Sequence, residues 1–267
     1  MTTHVNEMDG YRPAGADSGM ERPAEAGKVG IAVPGLIVLD VSWSMTDDLD
    51  RAAGALERMR NQLRQKATAS SVAYLGLVTF ADTARKDLGL VRVADPELGM
   101  PVIEPRGHGT NFHAAFTETL ATYREELNRL AGPVDGGKRQ RFRPSVYFVS
   151  DGQHNTGPDW RAPLQELKTR SWRPNIFAFG YRDADPAVIR EIADEGLAYF
   201  ADQGQDPDTM FGAILKVILR SMLSATVTAA GVAADPNAPT TMKPVDPSTD
   251  PATAGLVQMG PIGNTID

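Results

Sequence analysis

The sequence predicts an α/β fold: a doubly wound, mostly parallel sheet with helices on both faces. Three observations carry this. Short, mainly apolar runs recur at 36–39, 72–80 and 146–149, as largely buried strands require. Between them lie longer segments with apolar residues at i, i+3, i+4 and i+7, the spacing of an amphipathic helix. The two patterns alternate along the chain, and no internal repeat interrupts them.

Taken in order, residues 1–30 are rich in Gly, Ala, Glu and Asp and read as a flexible arm. The first strand covers 35–40. Leu49, Ala52, Ala53, Leu56, Met59 and Leu63 then mark a helix, with Thr46 able to cap it and Asp47 and Asp48 favourable in its first turn. Residues 72–80 form the second strand, Ala81-Asp82 a turn, and 88–93 a short edge strand. Pro96, Gly99 and Pro101 mark an irregular loop.

Gly107-His108-Gly109 is a tight turn before a helix over 111–130, whose stripe is Phe112, Ala115, Phe116, Leu120, Tyr123 and Leu127. Residues 132–143 read as a solvated loop, in which Lys138, Arg139, Arg141 and Arg143 serve solubility or dock an acidic partner. The strand at 146–149 ends in Ser150-Asp151-Gly152. A helix over 160–169, a strand at 175–180, a helix over 186–194 and a strand at 197–201 follow. The last helix covers 207–225, with Pro207 in its first turn and Phe211, Ile214, Leu215, Ile218 and Met222 on its buried face. Beyond it Pro, Thr, Asp and Ala dominate. The expected organisation is an arm at 1–30, one domain at 31–230 and a disordered tail at 231–267.

Composition narrows the function. The chain has 267 residues, 42% hydrophobic and 23% charged, which is ordinary for a globular protein. A formal net charge of -7 argues against a general nucleic-acid or anionic-membrane binder. With no Cys, neither disulfides nor thiolate metal sites are available. No apolar run approaches the ~20 residues of a membrane span, and the N-terminus lacks a basic-then-apolar signal pattern. The cytoplasm is the expected location.

The chemistry concentrates after the first strand, in Asp40-Val41-Ser42-Trp43-Ser44. In an extended loop, residues 40, 42 and 44 share one side. One carboxylate and two hydroxyls at a strand's carboxyl end suit a hard divalent cation. Asp-x-Ser-x-Ser in this setting resembles the first motif of the von Willebrand factor A domain, where it forms the metal-ion-dependent adhesion site. Thr110, in Gly107-His108-Gly109-Thr110-Asn111, matches that family's second motif, and Asp151, in Val149-Ser150-Asp151-Gly152, the third.

The resemblance covers roughly residues 31–226 and implies a Rossmann-like sheet with the strands ending at 40 and 151 side by side. It also implies that Ser42, Ser44 and Thr110 offer hydroxyl oxygens, and that Asp40 and Asp151 supply charge directly or through water. One position stays open for a Glu or Asp of a protein partner. Mg²⁺ fits such an oxygen set, with Mn²⁺ as a substitute.

Plainer roles stand beside these. Asp40 can cap a helix, and Ser42 and Ser44 can bond within their loop. Thr110 can be an N-cap, although Asn111 can take that role and leave Thr110 free. Trp43 stands where the family commonly has Gly. It either contacts a partner at the open position or packs against the Asp151 loop. His108 and His154 fall in the site loops and can line the rim; His113 belongs to a helix face.

Enzyme motifs are incomplete. Gly107-x-Gly109-x-x-Phe112 lacks the third glycine of a dinucleotide fingerprint, and there is no P-loop. Asp40-Val41-Ser42 resembles a phosphatase Asp-x-Asp loop, but Ser replaces the second carboxylate. No Gly-x-Ser-x-Gly elbow surrounds Ser42, Ser44 or Ser150. A metal-dependent protein-binding module is therefore expected rather than a catalyst. The alternatives are a scaffold with a vestigial site and a metal-dependent phosphoesterase. Within the family, residues 40–45, 150–152 and Phe177-Ala178-Phe179-Gly180 leading into Asp185-Pro186 resemble bacterial stand-alone members of the TerY (tellurium-resistance-associated) type. That likeness implies a protein kinase and a phosphatase as partners in stress response or phage defence.

Overall fold

The computed structural model describes residues 30–96, 99–132, 139–201, 206–234, 246–247, 253 and 255–259. Strand β1 (Gly30–Asp40) leads through a 3₁₀ helix (Trp43–Asp48) into α1 (Leu49–Gln65) and the short α2 (Ala67–Val72). The strands β2 (Ala73–Phe80) and β3 (Ala84–Arg92) form an antiparallel hairpin. There follow α3 (Phe112–Leu130), β4 (Arg139–Arg141), β5 (Ser145–Ser150), α4 (Arg161–Thr169) and β6 (Asn175–Gly180). The chain continues through α5 (Pro186–Ile192), β7 (Ala198–Ala201), α6 (Pro207–Ala234) and β8 (Leu256–Met259).

The sheet order is β3-β2-β1-β5-β6-β7-β8, with β4 pairing β1 beside this path. Its centre is parallel, and only the pairs β2–β3 and β7–β8 are antiparallel. The expected doubly wound α/β architecture is present.

Alternation along the strands divides the interior into two cores. Ile37, Leu39, Tyr147, Val149, Phe177 and Phe179 face one way, onto α1 and α6. Leu36, Val38, Val146, Phe148, Ile176 and Ala178 face the other way, onto α3, α4 and α5. In the second core Phe148 stacks on Phe80 (5.4 Å between centroids) and meets Phe112 edge-on (5.0 Å). These contacts seat the start of α3 against the centre of the sheet. In the first core the Ser221 hydroxyl donates to the buried Tyr147 hydroxyl at 2.8 Å, fixing α6 across β5.

Three expectations change. Residues 132–143 are not wholly a solvated loop: β4 pairs with the start of β1, and the Phe142 N–H donates to the Ala32 carbonyl at 2.9 Å. Basic side chains with no apolar alternation hid this strand. Nor is 231–267 a featureless tail. The final helix runs on to Ala234, and β8 pairs with β7, burying Leu256 and Met259. Four residues are too short for periodicity to register. The boundary expected at 230 thus falls inside α6, while the arm expected at 1–30 lies, except for Gly30, outside the described residues.

Third, α6 is long and apolar enough over Pro207–Gly231 to cross a membrane by length and composition, contrary to the expectation that no segment is. Here 56% of that window is buried inside the molecule, where the helix packs on α1, α2 and β1. Phe211, Ile214, Leu215, Ile218 and Met222 are buried as expected.

Candidate metal centre

Strands β1 and β5 lie side by side, Leu39 opposite Val149. From β1 the chain winds outward to β2 and β3; from β5 it winds the other way, so the order reverses between them. Such a switch point opens a crevice at the carboxyl ends of the strands. Asp40 ends β1 and Ser150 ends β5, which brings the first and third motifs together there.

Asp40 is fully buried and both its oxygens are engaged. Oδ1 accepts the Ser42 N–H at 2.9 Å, and Oδ2 accepts the Ser150 hydroxyl at 2.7 Å. Ser42 Oγ and Ser44 Oγ lie 3.1 Å apart. The Ser44 hydroxyl donates to Asp151 Oδ1 at 2.9 Å. The Thr110 hydroxyl points at Ser42 Oγ from 3.5 Å. Asp40, Ser42, Ser44, Thr110 and Asp151 therefore meet in one oxygen cluster, drawn from three loops.

The second loop owes its shape to Asp82, just past β2. Its carboxylate accepts the N–H groups of His108 (3.1 Å) and Gly109 (2.8 Å). A Cβ at Gly107 or Gly109 would collide with that carboxylate, and Gly107 is left-handed at φ 64°. Asn155 Oδ1 accepts the Thr110 N–H at 2.8 Å, joining the second loop to the third. As expected, Asn111 caps α3, accepting from the Ala114 N–H at 3.0 Å, and the Thr110 hydroxyl is free to face the cluster.

The third loop is held by the turn after β6. The Asp183 N–H donates to the Asp151 carbonyl at 3.1 Å, and the Tyr181 hydroxyl meets the Met45 sulfur. Arg182 reaches back between Asp48 and Asp151. Asp48 is wholly buried, and neither of its oxygens accepts a well-aligned hydrogen bond; Arg182 Nη2 at 2.7 Å offsets its charge as an ion pair.

Desolvation governs the electrostatics. Burial pushes the Asp40 carboxyl up to about 6, against the pull of its bonds from Ser150 and Ser42. Burial also raises Asp151, while Ser44 and Arg182 draw it down, and burial raises Asp48 against the pull of Arg182 and Arg51. Buried carboxylates in this state gain from a cation placed among them.

The donor set fits a hard divalent ion. It is all oxygen, and the three hydroxyls turn toward one another or toward Asp151. Among the described residues no three of His, Cys, Asp and Glu gather as a metal-binding group, so no zinc-type nitrogen or carboxylate cage competes with it.

The rim residues separate. Trp43 is 62% exposed, and its ring contacts His108 at 5.5 Å. His108 is also exposed. His154 is half-buried; its Nδ1 accepts the Phe112 N–H at 3.2 Å, which occupies it with the start of α3, and burial lowers its basicity. His113 Nδ1 meets the Asp159 carbonyl at 2.8 Å, away from the cluster.

Asp82, Ser150, Asn155, Asp48 and Arg182 support the site and were not among its expected residues. Only Asp82 and Ser150 carry a signal in the sequence: a carboxylate and a hydroxyl each beside a strand's carboxyl end.

The family model for the von Willebrand factor type A domain matches residues 36–211. The chain belongs to the VWA family. VWA domains are in general non-catalytic modules for protein–protein interaction, and their metal-ion-dependent adhesion site takes a divalent metal. No curated protein matches this VWA chain.

Among solved structures, proximal thread matrix protein 1 from the mussel byssus is similar at 15% identity and TM-score 0.52, covering 73% of this chain and 49% of that one. The same mussel protein with a zinc-occupied MIDAS motif is similar at 13% identity and TM-score 0.51, covering 73% and 48%. A von Willebrand factor type A protein from Catenulispora acidiphila is similar at 15% identity and TM-score 0.50, covering 72% and 43%. The VWA chain described here spans a little under half the length of each of those structures, and the likeness is one of fold.

Proposed function

We propose that this VWA domain captures an acidic side chain of a protein partner through a divalent cation held by Asp40, Ser42, Ser44, Thr110 and Asp151. The observation that carries the reading is the cluster itself: the Ser42 hydroxyl 3.1 Å from that of Ser44 and 3.5 Å from that of Thr110, beside two buried carboxylates from different loops. Mg²⁺ suits this set best and Mn²⁺ can replace it. When bound, the ion supplies a positive charge and a coordination position that a partner's Glu or Asp can fill.

The chain's own residues do the rest. Asp40 sets the first loop through Ser42 and Ser150, Asp82 and Asn155 hold Thr110 in place, and the exposed pair Trp43 and His108 offers an aromatic rim beside the mouth. VWA domains are in general non-catalytic interaction modules, which favours binding over catalysis. A cytoplasmic adaptor working with a protein kinase and a phosphatase, in stress response or phage defence, is the finer reading; it rests on the TerY-like stretches alone.

Calorimetric titration of Mn²⁺ into the wild type and Asp40→Ala tests the site, and partner recovery with and without chelator tests its use. We expect Mn²⁺ uptake by the wild type, none by the folded variant, and partner recovery lost with chelator. Partner recovery unchanged by chelator would instead identify a scaffold with a vestigial site.

A further inference from the structure

Arg182 is the one non-glycine residue with positive φ (50°) among the described residues. From the turn between β6 and α5 its guanidinium reaches two other loops. Nη1 donates to the Ser44 carbonyl at 3.0 Å and lies 3.5 Å from Asp151 Oδ2. Nη2 lies 2.7 Å from Asp48 Oδ2. The side chains of Asp48 and Asp151 are 0% and 1% exposed, whereas that of Arg182 is 39% exposed. Arg51 is a second, more distant cation at 3.6 Å from Asp48.

A buried carboxylate without aligned hydrogen bonds depends on a counter-charge. Asp48 has that from Arg182, but the same guanidinium is shared with Asp151 and with the backbone of Ser44. A left-handed backbone at a residue bearing a Cβ persists where its surroundings over-determine it. Here the left-handed residue is the one whose side chain donates to the Ser44 carbonyl and pairs with Asp48.

We propose that Arg182 is a resident cation of the metal centre, clasping the first and third loops and offsetting Asp48 and Asp151, and that it thereby weakens the affinity for a divalent ion. The inference rests on the metal-binding reading above. Like charges this close repel, so the ion is taken up against a charge already in place. An incoming carboxylate relieves that repulsion. Ion and acidic partner then strengthen each other's binding, a reciprocal coupling.

The test is Mn²⁺ titration by calorimetry, with melting in chelator followed by circular dichroism, for the wild type, Arg182→Lys, Arg182→Ala, Asp48→Asn and Asp48→Asn/Arg182→Ala. The double variant removes the buried charge that Arg182→Ala would orphan, so a folded comparison exists. We expect Arg182→Ala to melt lower in chelator and to bind Mn²⁺ at least about tenfold more tightly than the wild type, the double variant to bind at least about tenfold more tightly than Asp48→Asn, which shares its loss of the Asp48 charge, and Arg182→Lys to stay near the wild type. Mn²⁺ binding by the folded double variant equal to or weaker than that by Asp48→Asn, beside normal wild-type binding, would overturn the inference and leave Arg182 a structural counter-ion. Absence of Mn²⁺ binding in the wild type and every variant would overturn the metal reading itself, and this inference with it.

Discussion

The Ser44 hydroxyl donates to Asp151 Oδ1 at 2.9 Å across 107 positions of sequence. This bond joins the loop that leaves β1 to the loop that leaves β5, and it spans the crevice where the strand order reverses. It also pins the Ser44 Oγ beside Ser42 and the buried Asp40, the arrangement on which ion binding depends.

Ser44→Ala removes one hydroxyl from the cluster and leaves Asp151 with a lost bond. We expect Mn²⁺ affinity to fall at least about tenfold, with a loss of fold stability near 1 kcal/mol, the usual scale for one hydrogen bond. Calorimetric titration and a urea melt, read side by side, check the two separately.

Asp82 touches none of the cluster hydroxyls, yet it holds the backbone that carries Thr110. Asp82→Ala would strand two N–H groups in the Gly107–Gly109 turn. The expected result is about 1–3 kcal/mol of lost stability and weaker ion uptake, although every cluster side chain is still present. A wild-type Mn²⁺ isotherm for this variant would show that the turn keeps its shape without the carboxylate.

Asp40 gives the ion-free protein a pH signature. Its carboxyl is raised from 3.8 to about 6 by burial, so between those values the folded chain binds a proton that the unfolded chain has released. Its contribution to stability is full below the lower value and lost as pH rises through the higher one. Asp40→Asn removes the charge, keeps an oxygen to accept the Ser42 N–H and sets an NH2 donor opposite Ser150, whose hydroxyl must turn to accept. In chelator at pH 7.5 it should melt above the wild type, by at most about 3 kcal/mol in stability, and the gap should shrink toward pH 4. A gap independent of pH would separate the effect from ionisation. Protons also compete with the ion, so Mn²⁺ affinity should begin to fall below about pH 6 rather than near 4.

Trp43→Ala should weaken partner capture while leaving Mn²⁺ binding unchanged, since the ring is 62% exposed and meets only His108 among the aromatic contacts. Calorimetry with partner and with Mn²⁺ separates these effects; unaltered partner affinity would make the ring a cover for His108.

Much of this was legible in the sequence because the central strands declare themselves. The runs ending at Asp40 and Ser150 are continuous and apolar, and the polar residues following them stand out. Asn111 as the cap of α3 followed from local chemistry. Arg182 was not legible, since its partners Asp48 and Asp151 are distant in sequence and nothing in Gly180-Tyr181-Arg182 marks a left-handed turn or its direction. Strand β4 hid behind arginines and β8 behind its brevity. In both cases pairing with an existing strand, rather than the segment's own pattern, supplies the structure.

The strand Leu256–Met259 has a practical consequence. It covers the backbone of β7, whose N–H and C=O groups would otherwise line an open border of the sheet. An expression clone stopped at residue 235, where helix and domain alike would seem finished, would bare that border and invite self-association. Anyone preparing the binding module for titration should therefore carry the chain through Met259.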